Sequence, residues 1–271
     1  MKVRRRRPPL GQHFLQDSSW RRRILEQLSI KPRDFWLEIG AGHGEFTFAL
    51  AESSRGVAAV ERDAGLAAAL REKLLRFPAA RVIEADILRL DLASLARERG
   101  AEKLRVYGSL PYYITSPILR RLFDSLAVIE DIYVIVQREV AERLVAKPHG
   151  RDYGFLSALT QLHTEPEMMF VVPRGAFRPA PKVDSALVRL APPGARTRLQ
   201  LRDTEEFVGF LGACFRLKRK TLRNNLRSAL PVSRVEEALE EAGHAPHARA
   251  EELSVEELAG LYSRLKGRED K

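Results

Sequence analysis

Short apolar runs alternate with segments of helical periodicity over the first half of the chain. Each run spans about five residues, and in each following segment the apolar positions recur every three or four residues. The predicted strands are 35–39, 56–61, 81–86, 104–107 and 131–137. This order predicts an α/β fold with a doubly wound parallel sheet, in which ligands bind at the carboxyl ends of the strands.

The pattern changes near residue 193. Helices to about residue 146 and over 153–163 precede two further strands, 168–172 and 183–190, which flank a proline-rich loop. Pro192-Pro193-Gly194 is the clearest linker signal, and the periodicity beyond it is helical. We therefore predict a basic arm and first helix over 1–30, capped by Ser18 or Ser19, a sheet domain over 31–193 and a small all-helical domain over 194–271.

The composition is typical of a globular protein. Of 271 residues, 45% are hydrophobic, and no apolar run approaches the ~18 residues of a membrane span. The basic start has no apolar stretch behind it, so it does not predict a secretory signal, and we expect a cytoplasmic protein. The single cysteine, Cys214, lies among apolar residues, which excludes an internal disulfide and predicts a core position.

The net charge of +10 is concentrated in two segments. Residues 1–23 carry eight basic side chains against Asp17, and residues 216–227 carry six with no acid, so the rest of the chain has a net charge of −3. Clustered cations on an otherwise acidic body indicate a polyanion partner, most simply nucleic acid. The alternative is a solubilising tail and one solvated helix face.

Three strand ends predict a nucleoside site. In the turn after the first strand, Gly44 follows Gly42 by two positions, whereas a pyrophosphate cradle requires three. Glu61 ends the second strand, where a carboxylate binds ribose hydroxyls, and Asp86 ends the third, where one accepts from an adenine amine. Taken singly, each acid is better explained as a solvated strand end or a helix cap. Together they indicate a nucleoside cofactor without a phosphate cradle, which suggests S-adenosylmethionine.

The segment Gly108-Ser109-Leu110-Pro111-Tyr112 follows the fourth strand. Pro111 ends the strand ladder and favours an extended Leu110, so the nearby carbonyls point out of the sheet and accept hydrogen bonds. A small polar side chain, free carbonyls and an aromatic ring suit a planar substrate with an amino group, such as adenine or cytosine. The alternative is an ordinary strand-to-helix turn with Tyr112 in the core.

Several motifs together resemble the KsgA/RsmA family of ribosomal RNA small-subunit adenine dimethyltransferases. The likeness covers roughly residues 10–230, and the proline loop and the basic run are its most specific parts. The motifs are Gln12-His13-Phe14-Leu15, Glu38-Ile39-Gly40-Ala41-Gly42-His43-Gly44, Glu61, Asp86, Leu110-Pro111-Tyr112, Phe177-Arg178-Pro179-Ala180-Pro181-Lys182-Val183-Asp184-Ser185 and Arg219-Lys220-Thr221-Leu222-Arg223-Asn224-Asn225-Leu226.

This resemblance implies a Rossmann-like class I methyltransferase domain over 31–193 and a helical RNA-binding domain over 194–271. It implies dimethylation of two adjacent adenosines near the 3′ end of small-subunit (16S) ribosomal RNA, within a pre-ribosomal particle, with S-adenosylmethionine as the cofactor. The absence of a dimer signal favours a monomer. The residues that match cofactor-contacting positions are His13, Leu15, Gly40, Gly42, Glu61, Asp86 and Ser109, with Gln12 and Ile87 as additions.

The same resemblance assigns the substrate residues. Tyr112 and Phe177 match the aromatics that hold the extruded base, while Ser109 and the Leu110 carbonyl, set by Pro111, accept the hydrogens of its amine. No metal is required for this chemistry. The segment from Arg216 to Arg227 is expected to form a basic helix that binds RNA phosphates through Arg216, Lys218, Arg219, Lys220, Arg223 and Arg227.

Ser109 departs from the family pattern, in which this position is normally asparagine. A serine hydroxyl reaches less far and accepts more weakly than an amide oxygen, so the departure puts the rate in question. Two other functions stay open at this point. One is adenine methylation of large-subunit RNA, which confers antibiotic resistance, and the other is a ribosome-assembly factor that binds RNA with weak or lost catalysis.

Overall fold

The computed structural model describes residues 13–199, 201 and 203–267, and within them the chain forms nine strands and eleven α-helices. The strands are β1 (Phe14–Leu15), β2 (Phe35–Ile39), β3 (Gly56–Glu61), β4 (Ala80–Glu84), β5 (Leu104–Ser109), β6 (Ile129–Gln137), β7 (Glu165–Val172), β8 (Phe177–Arg178) and β9 (Ser185–Ala191). The helices are α1 (Ser18–Leu28), α2 (Thr47–Ser53), α3 (Ala64–Lys73), α4 (Leu92–Glu98), α5 (Thr115–Phe123), α6 (Arg138–Val145), α7 (Phe155–His163), α8 (Thr204–Cys214), α9 (Leu222–Leu226), α10 (Val232–Glu241) and α11 (Val255–Lys266).

Seven strands form one sheet in the order β4-β3-β2-β5-β6-β9-β7. The five strands from β2 to β6 pair in parallel, and β9 lies antiparallel to β6. Every residue of β2 and β3 is buried, as expected for a parallel sheet with both faces covered by helices. The predicted doubly wound α/β fold is confirmed.

Aspartates, and not serines, begin several helices. The Asp17 carboxylate accepts hydrogen bonds from the backbone N–H groups of Ser19 and Trp20, so Asp17 caps α1 and the predicted serine cap is wrong. Asp63 caps α3 in the same way. Asp86 caps a single 3₁₀ turn after β4, which ends at Glu84, so the third strand is shorter than predicted.

The chain divides into two compact units. The first contains the sheet and comprises the residues up to Ala141 together with Glu167–Pro192. The second comprises Glu142–Pro166 and the residues from Pro193 onward. Sequence analysis assigned 142–166 to the sheet domain, whereas here this segment groups with the C-terminal helices. The reason lies in α7, which is buried along almost its whole length and packs against α8 and α11.

Among the described residues, none of the helices has the length and apolar character needed to cross a membrane. The arginine run of the predicted N-terminal arm and Gln12 lie outside the described residues.

Candidate active site and nucleic-acid interface

A two-stranded ribbon joins the start of the described chain to the proline-rich loop. In the antiparallel pair of β1 and β8, Phe14 lies opposite Arg178 and Leu15 opposite Phe177. The Nδ1 atom of His13 lies 2.7 Å from the Pro179 carbonyl oxygen. Two motifs more than 160 positions apart in sequence thus form one wall of a cleft.

The cleft opens at the carboxyl ends of β2, β3 and β5. The space inside it and at its mouth, open solvent included, is about 820 Å³. The lining residues predicted from the sequence are His13, Leu15, Gly40, Gly42, Glu61, Ser109, Leu110, Pro111, Tyr112 and Phe177. The cleft is also lined by residues to which sequence analysis gave no catalytic or binding role, namely Phe14, Glu38, Ala41, Glu45, Phe46 and Tyr107.

The glycine turn forms the floor of this cleft. Gly40 and Gly42 adopt φ values of +73° and +56°, a conformation that favours glycine. A Cβ atom added at Gly42 would lie 2.9 Å from the Phe14 ring, so glycine is also required there for space. The backbone can therefore approach a ligand closely at this turn.

Glu61 lies beside the turn. Its carboxylate is buried and accepts hydrogen bonds from the Gly42 N–H at 2.9 Å and the Asp63 N–H at 2.8 Å. These bonds fix the carboxylate at the end of β3. Each oxygen retains a lone pair, since a carboxylate accepts about four hydrogen bonds in all.

Asp86 and Ile87 occupy a different place. The Asp86 side chain accepts from the Leu88 N–H at 3.1 Å and lies 3.9 Å from the Arg62 guanidinium, while Ile87 is buried. Neither residue is among those that line the cleft. Their cofactor-binding role stays a prediction.

Ser109 and Leu110 present two unused acceptors at the end of β5. The Leu110 N–H donates to the Ile135 carbonyl at 3.0 Å, which fixes the peptide. The Pro111 carbonyl accepts from Ile114 and Thr115, so it is already occupied. Within the described residues, the Ser109 hydroxyl and the Leu110 carbonyl accept no hydrogen bond.

Tyr112 is held by a residue without a role in the sequence analysis. Its hydroxyl lies 3.0 Å from the Oγ atom of Ser185, which is fully buried at the start of β9, and its ring centroid lies 5.7 Å from that of His13. Burial raises the pKa of Tyr112, so the hydroxyl stays protonated. The signal available in the sequence was the place of Ser185 at the end of the proline-framed motif.

Phe177 lines the cleft but is only 1% exposed. It belongs to a hydrophobic cluster with Leu15, Tyr107 and Ile135. Tyr112, by contrast, is half-buried and open to the cleft. Stacking of a base on Phe177 would therefore require its ring to be uncovered, so its base-holding role stays a prediction.

Glu38 brings a buried carboxyl group to the cleft. Its Oε2 atom accepts from the Thr47 hydroxyl at 2.5 Å. Desolvation raises its pKa to about 8, and the charges of Glu45 and Glu61 act in the same direction. Glu38 is therefore mostly protonated at neutral pH. An acidic residue inside the otherwise apolar run 35–39 was the signal in the sequence.

Tyr107 lies opposite Glu38 on the neighbouring strand and packs on Phe46, with ring centroids 4.4 Å apart. Its buried hydroxyl has no hydrogen-bond partner among the described residues. A buried polar group without a partner is costly, and a polar ligand in the cleft is one way to satisfy it. No group of three or more metal-ligating side chains is present in the described part of the chain.

The basic run lies in the second unit. It is not the continuous helix that the sequence predicted, because Arg219 adopts a left-handed backbone with φ of +68° and only α9 follows it. The buried Asn225 amide holds the preceding loop, accepting from the Leu217 N–H at 3.1 Å and donating to the Cys214 carbonyl at 2.7 Å. The exposed cations of this run are Arg216, Lys218, Arg219, Lys220 and Arg227. Arg223 is half-buried and pairs with Glu236.

Comparison with known proteins decides the family. The family model described as "Ribosomal RNA adenine dimethylase" matches residues 3–266. The chain belongs to the ribosomal RNA adenine dimethylase family. The resemblance derived from the motifs is thereby confirmed, and the protein is a methyltransferase. A relative of this dimethylase, ribosomal RNA small subunit methyltransferase A of Acidobacterium capsulatum, is 45% identical over 97% of this chain and 92% of its own.

Two solved structures resemble this dimethylase. A dimethyladenosine transferase from Plasmodium falciparum has a TM-score of 0.80 and 22% identity over 94% of this chain and 98% of its own, which supports the fold alone. The 23S rRNA methyltransferase ErmE has a TM-score of 0.68 and 31% identity over 93% of this chain and 99% of its own.

Proposed function

We propose that this protein dimethylates the exocyclic amines of two adjacent adenosines near the 3′ end of small-subunit ribosomal RNA, with S-adenosylmethionine as methyl donor. The observation that carries the proposal is the pair of unused acceptors, Ser109 and the Leu110 carbonyl, beside a tyrosine fixed by Ser185. Family membership and the small-subunit relative supply the class of substrate.

The cleft suits the cofactor. Gly40 and Gly42 allow the backbone to approach a nucleoside closely. The remaining lone pairs of the Glu61 carboxylate accept hydrogen bonds from ribose hydroxyls. The buried Tyr107 hydroxyl, which has no partner among the described residues, can bond to a polar group of the cofactor. When bound, S-adenosylmethionine supplies an electrophilic methyl group. The residues we assign to hold it are His13, Leu15, Gly40, Gly42, Glu61 and Ser109, with Gln12, Asp86 and Ile87 retained as predictions.

The protein's contribution to the reaction is positioning. An adenine amine is a weak nucleophile because its lone pair is delocalised into the ring. The Ser109 hydroxyl and the Leu110 carbonyl accept the amine hydrogens and turn the lone pair into the cleft. Tyr112 stacks on the extruded base, a contact that contributes about 1–3 kcal/mol. Correct orientation of two reactants accelerates their reaction without any strong base.

The second unit supplies RNA affinity through the exposed cations of the loop from Arg216 to Lys220 and through Arg227. We assign Arg223 a smaller share, since its charge is already paired with Glu236. The natural substrate is a pre-ribosomal particle in the cytoplasm, and the enzyme acts as a monomer.

The decisive experiment uses undermethylated small ribosomal subunits and methyl-labelled S-adenosylmethionine. We expect label in two adjacent adenosines near the 3′ end of the small-subunit RNA, recovered as dimethyladenosine after nuclease digestion. Fully methylated subunits are the matched control and should accept no label. Absence of dimethyladenosine from undermethylated subunits would refute the proposal.

Methylation of large-subunit RNA is the second candidate, favoured by the likeness to ErmE over almost the whole chain. The same assay with protein-free large-subunit RNA separates the two candidates. Label in that RNA alone would support the second. Binding to both RNAs without any label would instead support an assembly factor.

A further inference from the structure

The segment from Arg174 to Lys182 belongs to the first unit and reaches the cleft at Phe177. It contains a 3₁₀ turn, β8 with the cleft residue Phe177, and the Pro179 carbonyl bonded to His13. Its three cations, Arg174, Arg178 and Lys182, are all exposed. We call these three side chains the rim cations. Sequence analysis assigned no RNA-binding role to these three residues.

Backbone carbonyls of the same segment orient the rim guanidinium groups. The Arg178 Nη1 atom donates to the Gly175 and Phe177 carbonyls, both at 2.9 Å. The Arg174 Nη1 atom donates to the Lys182 carbonyl at 3.2 Å. An oriented arginine loses less conformational entropy when it binds a ligand than a freely rotating one.

The rim cations also lack carboxylate partners. Exposed arginines elsewhere in the first unit, such as Arg71 and Arg81, form ion pairs with Glu84 and Glu98. Among the described residues, none of the rim cations forms such a pair. The nearby carboxylate of Asp184 accepts from the Arg174 backbone N–H and not from its guanidinium, so a net charge of +2 stays at the rim.

We infer that the rim cations bind the backbone phosphates that flank the target nucleotide. The inference rests on the proposed function. When a base is extruded into the cleft, its phosphates stay outside, at the mouth. Arg178 directly follows the cleft residue Phe177, and Arg174 and Lys182 lie within five positions of it on the same segment. Contacts of this kind set the position of the RNA and do not read its sequence.

The test measures RNA binding against salt concentration. The probe is a synthetic RNA hairpin whose loop carries two adjacent adenosines. For Arg174→Gln and Arg178→Gln, we expect the slope of log K against log salt to fall by about 0.7–0.9 per cation removed. When wild type and variant bind equally at about 1 M salt, a slope that is lower by about 0.8 makes the variant bind about sixfold more weakly at about 0.1 M salt. S-adenosylmethionine affinity should not change.

A matched control is Arg81→Gln, an exposed arginine near the amino end of β4, whereas the cleft opens at the carboxyl ends of the neighbouring parallel strands. It removes the same charge and should leave the slope unchanged. Arg178→Lys, which retains the charge, should restore the slope. In turnover with undermethylated subunits, the rim variants should raise KM and leave kcat nearly unchanged.

An unchanged slope in both rim variants, or an equal change in Arg81→Gln, would overturn the inference. Its failure is distinguishable from that of the proposed function. A wild-type protein that binds the hairpin but methylates no RNA refutes the function, while its salt slope still tests the rim. A wild-type protein without affinity for the hairpin refutes the inference, whereas the proposed function is judged by label in undermethylated subunits.

Discussion

The cleft of the first unit and the basic loop of the second differ in the exposure of their polar side chains to water. In the cleft, the polar residues Glu38 and Tyr107 are buried, and so is Ser185, which contacts the Tyr112 hydroxyl. In the loop, Lys218 and Lys220 are exposed, while the polar side chain of Asn225, which holds the loop, is buried. Electrostatic interactions are strong where water is excluded, whereas exposed cations act through the long-range field and counterion release. In the proposed function, the amine is therefore oriented in the buried cleft, and RNA affinity comes from the exposed loop.

The largest expected effect of burial in the cleft is on the pH dependence of the free energy of unfolding, through Glu38. Its folded-state pKa of about 8 lies above the ordinary value of 4.5, so the folded protein binds the extra proton. This contribution is complete below about pH 4.5 and is lost as the pH rises through about 8, with a slope of at most about 1.4 kcal/mol per pH unit. Urea unfolding of Glu38→Gln at pH 5, 6, 7 and 8 should show a flatter profile than wild type.

Tyr112→Ala should lower kcat/KM for RNA by about 5- to 150-fold, because a stacking contact is worth about 1–3 kcal/mol per base. Steady-state kinetics with undermethylated subunits measures this. Tyr113→Ala is the control, since Tyr113 is 62% exposed and lies outside the cleft lining. An equal loss of kcat/KM in both variants would contradict stacking of the base on Tyr112.

Asn225→Ala should weaken RNA binding about tenfold without removing a charge. The substitution leaves the backbone groups of Leu217 and Cys214 without partners, at about 1–3 kcal/mol for each unsatisfied buried group. Filter binding measures the affinity, and thermal unfolding shows whether the second unit stays folded. Lys218→Gln is the contrasting variant, because it lowers the salt slope with an intact loop. A folded Asn225→Ala protein with wild-type affinity would contradict the role of the loop.

Ser109→Ala should lower kcat about tenfold, as expected for the loss of about 1.4 kcal/mol from one hydrogen bond to the amine. Ser109→Asn should preserve or raise kcat, because the amide oxygen reaches further. Single-turnover rates with saturating cofactor compare the three proteins. Equal rates for all of them would exclude Ser109 from the mechanism.

Ser185→Ala should have the smallest effect, about 2- to 12-fold on kcat/KM, from one hydrogen bond worth about 0.5–1.5 kcal/mol. Because Ser185 acts through the Tyr112 hydroxyl, Tyr112→Phe and the double variant should show nearly the same loss. Ser185→Thr retains a hydroxyl and should restore part of the rate. If the losses of the two single variants add in the double variant, Ser185 does not act through the Tyr112 hydroxyl.

Local patterns were sufficient for much of the architecture. The apolar runs of β2, β3, β5 and β6 predicted the parallel sheet, because a strand covered on both faces must be apolar throughout. Turn residues at the strand ends were enough to predict a cleft lined by Gly40, Glu61 and Tyr112. The sequence by itself thus determined the fold class and the family.

Tertiary structure decided what depends on distant residues. The pairing of β1 with β8, the bond from Tyr112 to Ser185 and the grouping of α7 with the C-terminal helices join positions far apart in the chain, and no local period encodes them. The charge state of Glu38 depends on its burial, and the shape of the basic run depends on the Asn225 amide. Periodicity reports which face of an element is buried, whereas the partner on that face is chosen only when the whole chain packs.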